Sequence, residues 1–132
     1  MDRKDFELLD QDRLFLDGLD KKWEAINDGS KWILIHDFVL PDGYTENTVT
    51  LAIRIEAGYP MGPLDMMYVY PKIQRKDGKQ IVAADVFQAL DQKQFQRWSR
   101  HRTTDNPWVF GQDSIETHYY LIEEAFNLEL AK

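Results

Sequence analysis

One short segment of the chain concentrates the side chains that could carry out covalent chemistry. Between residues 95 and 102, Ser99 is surrounded by one histidine and three arginines: Arg97, Arg100, His101 and Arg102. A serine hydroxyl is a weak nucleophile that needs a base or strong local positive charge, and a histidine has the intrinsic pKa of such a base. The guanidinium groups could stabilise an oxyanion or bind the carboxylate end of a protein chain. The pattern therefore predicts Ser99 as a nucleophile with His101 as its base.

The same residues also have a purely structural interpretation. Most serines in such a segment are only loop residues, and arginines usually form a solvated face or pair with acids, here those of the N-terminal segment. On an extended backbone the side chains of Ser99 and His101 would share a face, whereas on a helix they would not. The sequence leaves both interpretations open.

The overall composition excludes several other kinds of protein. The 132 residues include 23 acidic and 16 basic side chains, which give a formal net charge of −7. Such a chain lacks the basic footprint that general nucleic-acid binding requires. It contains no cysteine, so disulfides, thiolate metal sites and a cysteine nucleophile are excluded. The hydrophobic fraction of 43 % is enough for a packed core without disulfides or a structural metal.

The remaining motifs predict neither a cofactor nor a metal. The three histidines, His36, His101 and His118, have no metal-ligand spacing, and the sequence contains no glycine-rich phosphate loop. Apolar runs stay far below the ~18 residues that would span a bilayer, and the N-terminus has no apolar segment of signal-peptide type. We therefore expect a cytoplasmic protein that binds neither membranes nor nucleic acid.

Hydrophobic periodicity predicts one α+β domain over residues 1–132, with helix packed on an antiparallel sheet. A run of residues with β-branched and aromatic side chains, broken by proline and glycine turns, predicts a four-stranded meander. Its third strand, in residues 48–56, alternates cleanly between apolar and polar side chains. The expected order is a charged helical segment, the meander, a long loop of active-site type and a C-terminal helix, over residues 1–22, 23–71, 72–112 and 113–132.

Two details of the second half of the chain are also predicted. Residues 85–96 are expected to form a loop or a short helix within the long loop. The C-terminal helix is expected to be capped by Asp113, with Glu116 three residues later.

Four weak motifs occur along the chain in the order in which ubiquitin-conjugating enzymes carry them. Residues 40–44 resemble the proline, tyrosine and glycine turn between the second and third strands of those enzymes, and residues 58–64 resemble their Tyr-Pro-x-x-Pro-Pro loop. Residues 70–73 resemble a degraded His-Pro-Asn segment, and Trp108 resembles the tryptophan that follows the active site. Residues 23–128 thus resemble the ubiquitin-conjugating-enzyme fold, and in particular the prokaryotic ubiquitin-conjugating-like proteins of family E.

This resemblance implies an activity and a set of partners. Proteins of that family occur in bacterial operons beside genes for ubiquitin-like proteins and activating enzymes, which suggests a stress or antiphage role. In that fold the nucleophile lies a little under ten residues before the tryptophan, and Ser99 lies nine residues before Trp108. The resemblance therefore implies that Ser99 receives a ubiquitin-like protein from an activating enzyme as an oxyester. The ubiquitin-like protein would then be transferred from Ser99 to an amine of a protein target.

The chain departs from the family pattern at the positions that matter most for catalysis. The cysteine is absent, and the asparagine that stabilises the oxyanion in those enzymes is either replaced by Lys72 or located elsewhere in the chain. We therefore treat Lys72, together with the three arginines around Ser99, as a candidate for oxyanion stabilisation or partner binding. The departures also fit a second hypothesis. In that hypothesis the chain is an inactive member of the fold that binds and positions the ubiquitin-like protein or the activating enzyme.

Overall fold

The computed structural model describes residues 2–132 as one six-stranded antiparallel sheet with two helices. The strand order across the sheet is β1-β2-β3-β4-β6-β5. The elements are α1 (Asp10–Asp17), β1 (Trp23–Asp28), β2 (Ser30–Val39), β3 (Thr48–Ile55), β4 (Met67–Tyr70), β5 (Val86–Leu90), β6 (Lys93–Trp98) and α2 (Ile115–Leu130). The predicted α+β class with a meander and a C-terminal helix is confirmed. The predicted number of four strands is wrong.

The two additional strands form a hairpin inside the expected long loop. Residues 85–96 are neither a loop nor a short helix, because β5 and β6 pair through five consecutive residue pairs from Val86–Arg97 to Leu90–Lys93. The hairpin turns at Asp91 and Gln92, which have φ angles of 53° and 61°. A two-residue hairpin turn of this kind needs positive φ at both positions and usually contains glycine or asparagine. Since Asp91-Gln92 lacks that signature, the turn was not evident in the sequence.

Hydrophobic side chains cover both faces of the sheet. The larger cluster lies between the sheet and α2 and includes Ile33, Leu51, Val69 and Phe126. Because strand residues alternate between faces, their neighbours form a second, smaller cluster on the opposite face. That cluster consists of Ile26, Trp32, Leu34, Ala52, Tyr68, Leu90 and Phe95.

The sheet curves so that its last hairpin reaches its first strand. The backbone N–H of Asp91, in the β5–β6 turn, donates to the carboxylate of Asp28 at 2.8 Å. Arg3 strengthens this closure, because its guanidinium donates to both Glu24 and Asp91 at 2.8 Å. The hydrogen bond from Arg3 lowers the pKa of the buried Glu24 carboxyl well below its usual range. The hairpin therefore closes over the smaller cluster.

The ends of the helices differ in part from the sequence-based expectation. Helix α1 ends at Asp17, and Gly18 is its C-cap residue. Helix α2 is capped by Ser114 and not by Asp113, and the backbone N–H of Ser114 donates to the hydroxyl of Thr117 at 3.0 Å. Asp113 instead accepts from the backbone N–H of Val109 at 2.7 Å. The predicted cap is therefore wrong by one residue, because Asp113 is engaged by the preceding loop.

A buried glutamine attaches the long connection between β4 and β5 to the sheet. Gln96 on β6 is 6 % exposed. Its side-chain oxygen accepts from the backbone N–H of Ile73 and from the indole N–H of Trp98, both at 3.1 Å. Its side-chain nitrogen donates to the carbonyls of Ala84 at 3.1 Å and Ile73 at 3.3 Å. The amide thus uses both donors and both acceptor positions.

None of the helices in residues 2–132 has the length and apolar character needed to cross a lipid bilayer.

We predict that a Gln96→Leu substitution destabilises the protein by about 2–4 kcal/mol, since it leaves buried N–H groups of Ile73 and Trp98 without an acceptor. Urea unfolding followed by tryptophan fluorescence measures this difference. The matched control is Gln94→Leu, two residues earlier on the same strand and exposed, which should change stability by less than about 0.5 kcal/mol. Equal effects of the two substitutions would contradict the role assigned to Gln96.

Candidate functional site

Ser99 lies directly after β6 and continues its hydrogen-bonding ladder. Its backbone N–H donates to the carbonyl of Ala83 at 2.9 Å. Its hydroxyl donates to the sulfur of Met66 at 3.9 Å, and the residue is half-buried. The serine is therefore held at the base of the hairpin, with a weak acceptor as the partner of its hydroxyl.

The imidazole of His101 contacts a carboxylate group. Its Nδ1 lies 2.8 Å from a carboxylate oxygen of Asp65, and the two side chains are 55 % and 40 % exposed. Within residues 2–132, no hydrogen bond joins the hydroxyl of Ser99 to His101. The role of His101 as a base for Ser99 remains a prediction from the sequence.

Two of the three arginines near Ser99 are held by groups of the protein itself. Arg100 donates to the carbonyls of Val82 at 3.0 Å and of Ser99 at 2.9 Å. Arg102 forms an ion pair with Asp113 at 3.0 Å, and its guanidinium lies 5.1 Å from the ring centre of Trp108. These contacts fix the segment after β6 against the loop that precedes α2.

Arg97 lies on the face of the sheet opposite to α2. It pairs with Tyr68 across β4 and β6, and Tyr68 belongs to the smaller hydrophobic cluster. Because paired residues on neighbouring strands share a face, Arg97 is separated from the side on which α2 packs. The structure therefore divides the basic cluster that the sequence suggested.

Arg100, His101 and Arg102 line one groove, which we call the α2 groove. It has a volume of about 320 Å³ and lies between residues 64–67, residues 100–106 and the face of α2 that carries Leu121, Ala125 and Leu128. Lys72 is not part of it. Lys72 lines a separate cleft of about 470 Å³, the Lys72 cleft, bounded by residues 72–75, residues 78–81, Ala84, Asp85, Phe87 and Gln96. With Arg97 on the opposite face of the sheet, the candidate oxyanion groups thus lie in three different places.

A buried histidine in the α2 groove was not singled out by the sequence. His118 is 5 % exposed, and its Nε2 lies 2.9 Å from the carbonyl oxygen of Met66. This contact requires the hydrogen on Nε2, and burial lowers the pKa of the imidazole. Met66 therefore contacts His118 through its carbonyl and Ser99 through its sulfur. Nothing in the sequence predicts that Met66 contacts both of these residues.

A buried carboxyl joins α1 to the start of α2. The hydroxyl of Tyr59 donates to Asp12 at 2.7 Å and accepts from the backbone N–H of Ile115 at 3.0 Å. Asp12 is 1 % exposed, and burial raises its pKa. The sequence did contain a signal, because Asp12 lies four residues before the fully buried Leu16 and hence on the inward face of α1.

We predict that the Asp12→Asn substitution changes how stability depends on pH. A carboxyl whose pKa is higher in the folded than in the unfolded state destabilises the fold once it ionises. The wild type should therefore lose stability relative to Asp12→Asn as the pH rises above about 4, the usual pKa of an aspartic acid. Thermal unfolding across this range measures the difference. The control is Asp10→Asn, in the same helix, where the side chain is 92 % exposed; its stability should depend on pH as that of the wild type does. If the stability of Asp12→Asn also changed with pH in the same way as that of the wild type, the prediction would be refuted.

Comparison with known proteins confirms the family that the motifs suggested. The family model described as Prokaryotic E2 family E matches residues 8–129. No curated protein and no solved structure matches the chain. The matched range includes α2, the β5–β6 hairpin and the segment around Ser99. The chain therefore belongs to prokaryotic E2 family E, as a ubiquitin-conjugating-enzyme-like protein that has no cysteine.

Proposed function

We propose that this chain acts in a bacterial ubiquitin-like conjugation pathway by binding and positioning the ubiquitin-like protein or its activating enzyme, without a covalent step. The observation that carries this proposal is the environment of Ser99, whose hydroxyl donates to the sulfur of Met66 at 3.9 Å. A serine becomes an effective nucleophile when an adjacent base removes its proton, and thioether sulfur is not such a base. The absence of cysteine supports the same conclusion.

An exposed apolar surface supports a role in protein binding. The indole N–H of Trp108 donates to the carbonyl of Pro60 at 3.0 Å, which holds the loop of residues 58–64 against the loop of residues 107–112. These loops expose Met61 at 73 %, Phe110 at 62 % and Val109 at 40 %. Large apolar side chains on anchored surface loops are typical of protein–protein contacts. We call these three residues the apolar loop patch and propose it as the contact surface.

We predict that Phe110→Ser weakens binding to the partner at least tenfold, since an aromatic side chain in the centre of an interface contributes about 2 kcal/mol or more. Isothermal titration with the activating enzyme and the ubiquitin-like protein of the same organism measures the affinity. Val39→Ser is the matched control, because Val39 is 65 % exposed on β2 and outside the patch. An equal affinity for the two variants would exclude the apolar loop patch as the contact.

The position of Ser99 favours a second candidate function, carriage of the ubiquitin-like protein as an oxyester. Ser99 is half-buried at the end of β6, and the α2 groove begins with the next residue, Arg100. In this reaction the serine oxygen would bond to the carboxyl carbon of the ubiquitin-like protein as the acyl bond to the activating enzyme breaks. The hydroxyl proton would pass to a base, the role predicted for His101. An amine of the target would then displace the serine oxygen.

Intact-mass measurement separates the two candidates. The protein is incubated with the activating enzyme, the ubiquitin-like protein and ATP, and the wild type is compared with Ser99→Ala before and after mild hydroxylamine. The non-covalent function predicts no adduct on either protein, together with stable co-elution of the partners. A hydroxylamine-sensitive adduct on the wild type alone would overturn it in favour of oxyester carriage at Ser99.

A further inference from the structure

Strand β5 forms one edge of the sheet, and its outer side has no neighbouring strand among residues 2–132. The two-residue turn after Leu90 makes Leu90 and Lys93 a hydrogen-bonded pair, and such pairs alternate along an antiparallel ladder. Gln88 and Val86 therefore bond to β6, whereas the backbone groups of Phe87 and Ala89 point outward. Among the outward groups, the carbonyl of Ala89 alone has a partner within residues 2–132, the side-chain amide of Gln88 at 2.9 Å.

This edge lacks the features that usually prevent another strand from pairing with it. Exposed edges are commonly protected by lysine, proline, a bulge or an inward-pointing charge. The sequence of β5, Val-Phe-Gln-Ala-Leu, contains no charge and no proline. Val86 is 49 % exposed and Phe87 is 45 % exposed. The edge thus offers free backbone groups together with apolar side chains.

The Lys72 cleft adjoins the beginning of this edge, because Asp85 and Phe87 line it. Three cationic side chains line the cleft, and two of them already have partners within the protein. Arg75 bonds to Asp77 at 2.7 Å and to Glu129 at 3.1 Å, and the ammonium group of Lys79 donates to the carbonyl of Lys132 at 3.1 Å. Within residues 2–132, the exposed Lys72 has no ion-pair partner. The cleft is lined by three cations and by one carboxylate, that of Asp85, so its lining carries a net positive charge. It therefore combines an apolar wall with one cation, Lys72, that is available to an incoming anion.

We propose that the outer edge of β5 binds an extended peptide segment that ends in a free carboxylate. The segment pairs antiparallel to β5 through Phe87 and Ala89, so that its carboxyl end lies near Val86 and pairs with Lys72 in the cleft. Pairing of the segment with β5 supplies backbone hydrogen bonds. The ammonium group of Lys72 favours a segment that ends in a free carboxylate. Identifying this segment as the end of the ubiquitin-like protein rests on the proposed function, whereas the edge site itself does not.

A second copy of this chain fits the edge less well than such a peptide. If two β5 strands paired antiparallel about Gln88, the charge brought to the cleft would be that of Asp91 of the other copy, whose carboxylate is already paired with Arg3 at 2.8 Å. A carboxylate-ended segment instead places its charge beside Lys72. Charge complementarity therefore favours the peptide.

The probe is a short acetylated peptide of alternating threonine and valine with a free carboxylate, compared with the same peptide as its amide. Titration into the full-length ¹⁵N-labelled protein, which needs no partner protein, reports binding through the amide signals of Phe87 and Ala89. We expect these signals to shift and the carboxylate peptide to bind about two- to fivefold more tightly than the amide. Lys72→Glu should remove that preference. Shifts elsewhere with none on β5, or equal affinities for the two peptides, would overturn the proposal.

A proline at the edge provides a second test. In Ala89→Pro the lost N–H points away from β6, so the ladder within the hairpin is kept, and binding of both peptides should fall at least tenfold. If this variant does not retain a folded spectrum, Lys72→Glu alone decides the outcome. Undiminished binding to folded Ala89→Pro would refute the edge site. Self-association of the wild type that Ala89→Pro abolishes would assign the edge to a second copy and also refute it.

Discussion

The side-chain amide of Gln96 holds in place the part of the molecule on which the candidate site depends. The connection between β4 and β5 contains no helix or strand, and Gln96 bonds to it at Ile73 and again at Ala84. These two points fix the walls of the Lys72 cleft and bring Val82 to Arg100. Ordering a loop of this length costs conformational entropy. Gln96 supplies two of the attachments that keep this loop ordered, and the ion pair of Arg75 with Glu129 and the hydrogen bond from Ser99 to Ala83 supply others.

The charges around Ser99 are explained largely by partners within the fold. Glu129 near the end of α2 is 3 % exposed and lies between two arginines, 3.1 Å from Arg75 and 3.5 Å from Arg100. A buried carboxylate requires such compensation, because an unpaired charge in the interior is strongly destabilising. The partners of Arg100 and Arg102 are therefore Glu129 and Asp113, and not the acids of the N-terminal segment. The basic residues around Ser99 are therefore explained by ion pairs within the protein at least as well as by a reaction with a substrate.

Regular patterns in the sequence allowed most of the fold to be predicted. The alternation in β3 and the apolar spacing in α2 identified those elements, and the four ordered motifs identified the family. The β5–β6 hairpin was missed because Asp91 and Gln92 adopt positive φ without glycine. The site was harder to predict, since Met66 and Asp65 meet Ser99 and His101 across more than thirty positions of sequence. No local pattern encodes such contacts, and the placement of Lys72 in a separate cleft depends on the same long-range geometry.

The closure of the sheet by Arg3 has a consequence for the order of folding. Arg3 and Asp91 are 88 residues apart in the chain, whereas the strands of the β5–β6 hairpin are joined by a two-residue turn. Contacts between distant residues require the entropy of loop closure to be lost before they contribute, and they form more slowly than local pairs. We therefore expect the hairpin to form early and the N-terminal segment to join it late. Until that segment joins, Asp91 and the buried Glu24 lack the cationic partner that they share.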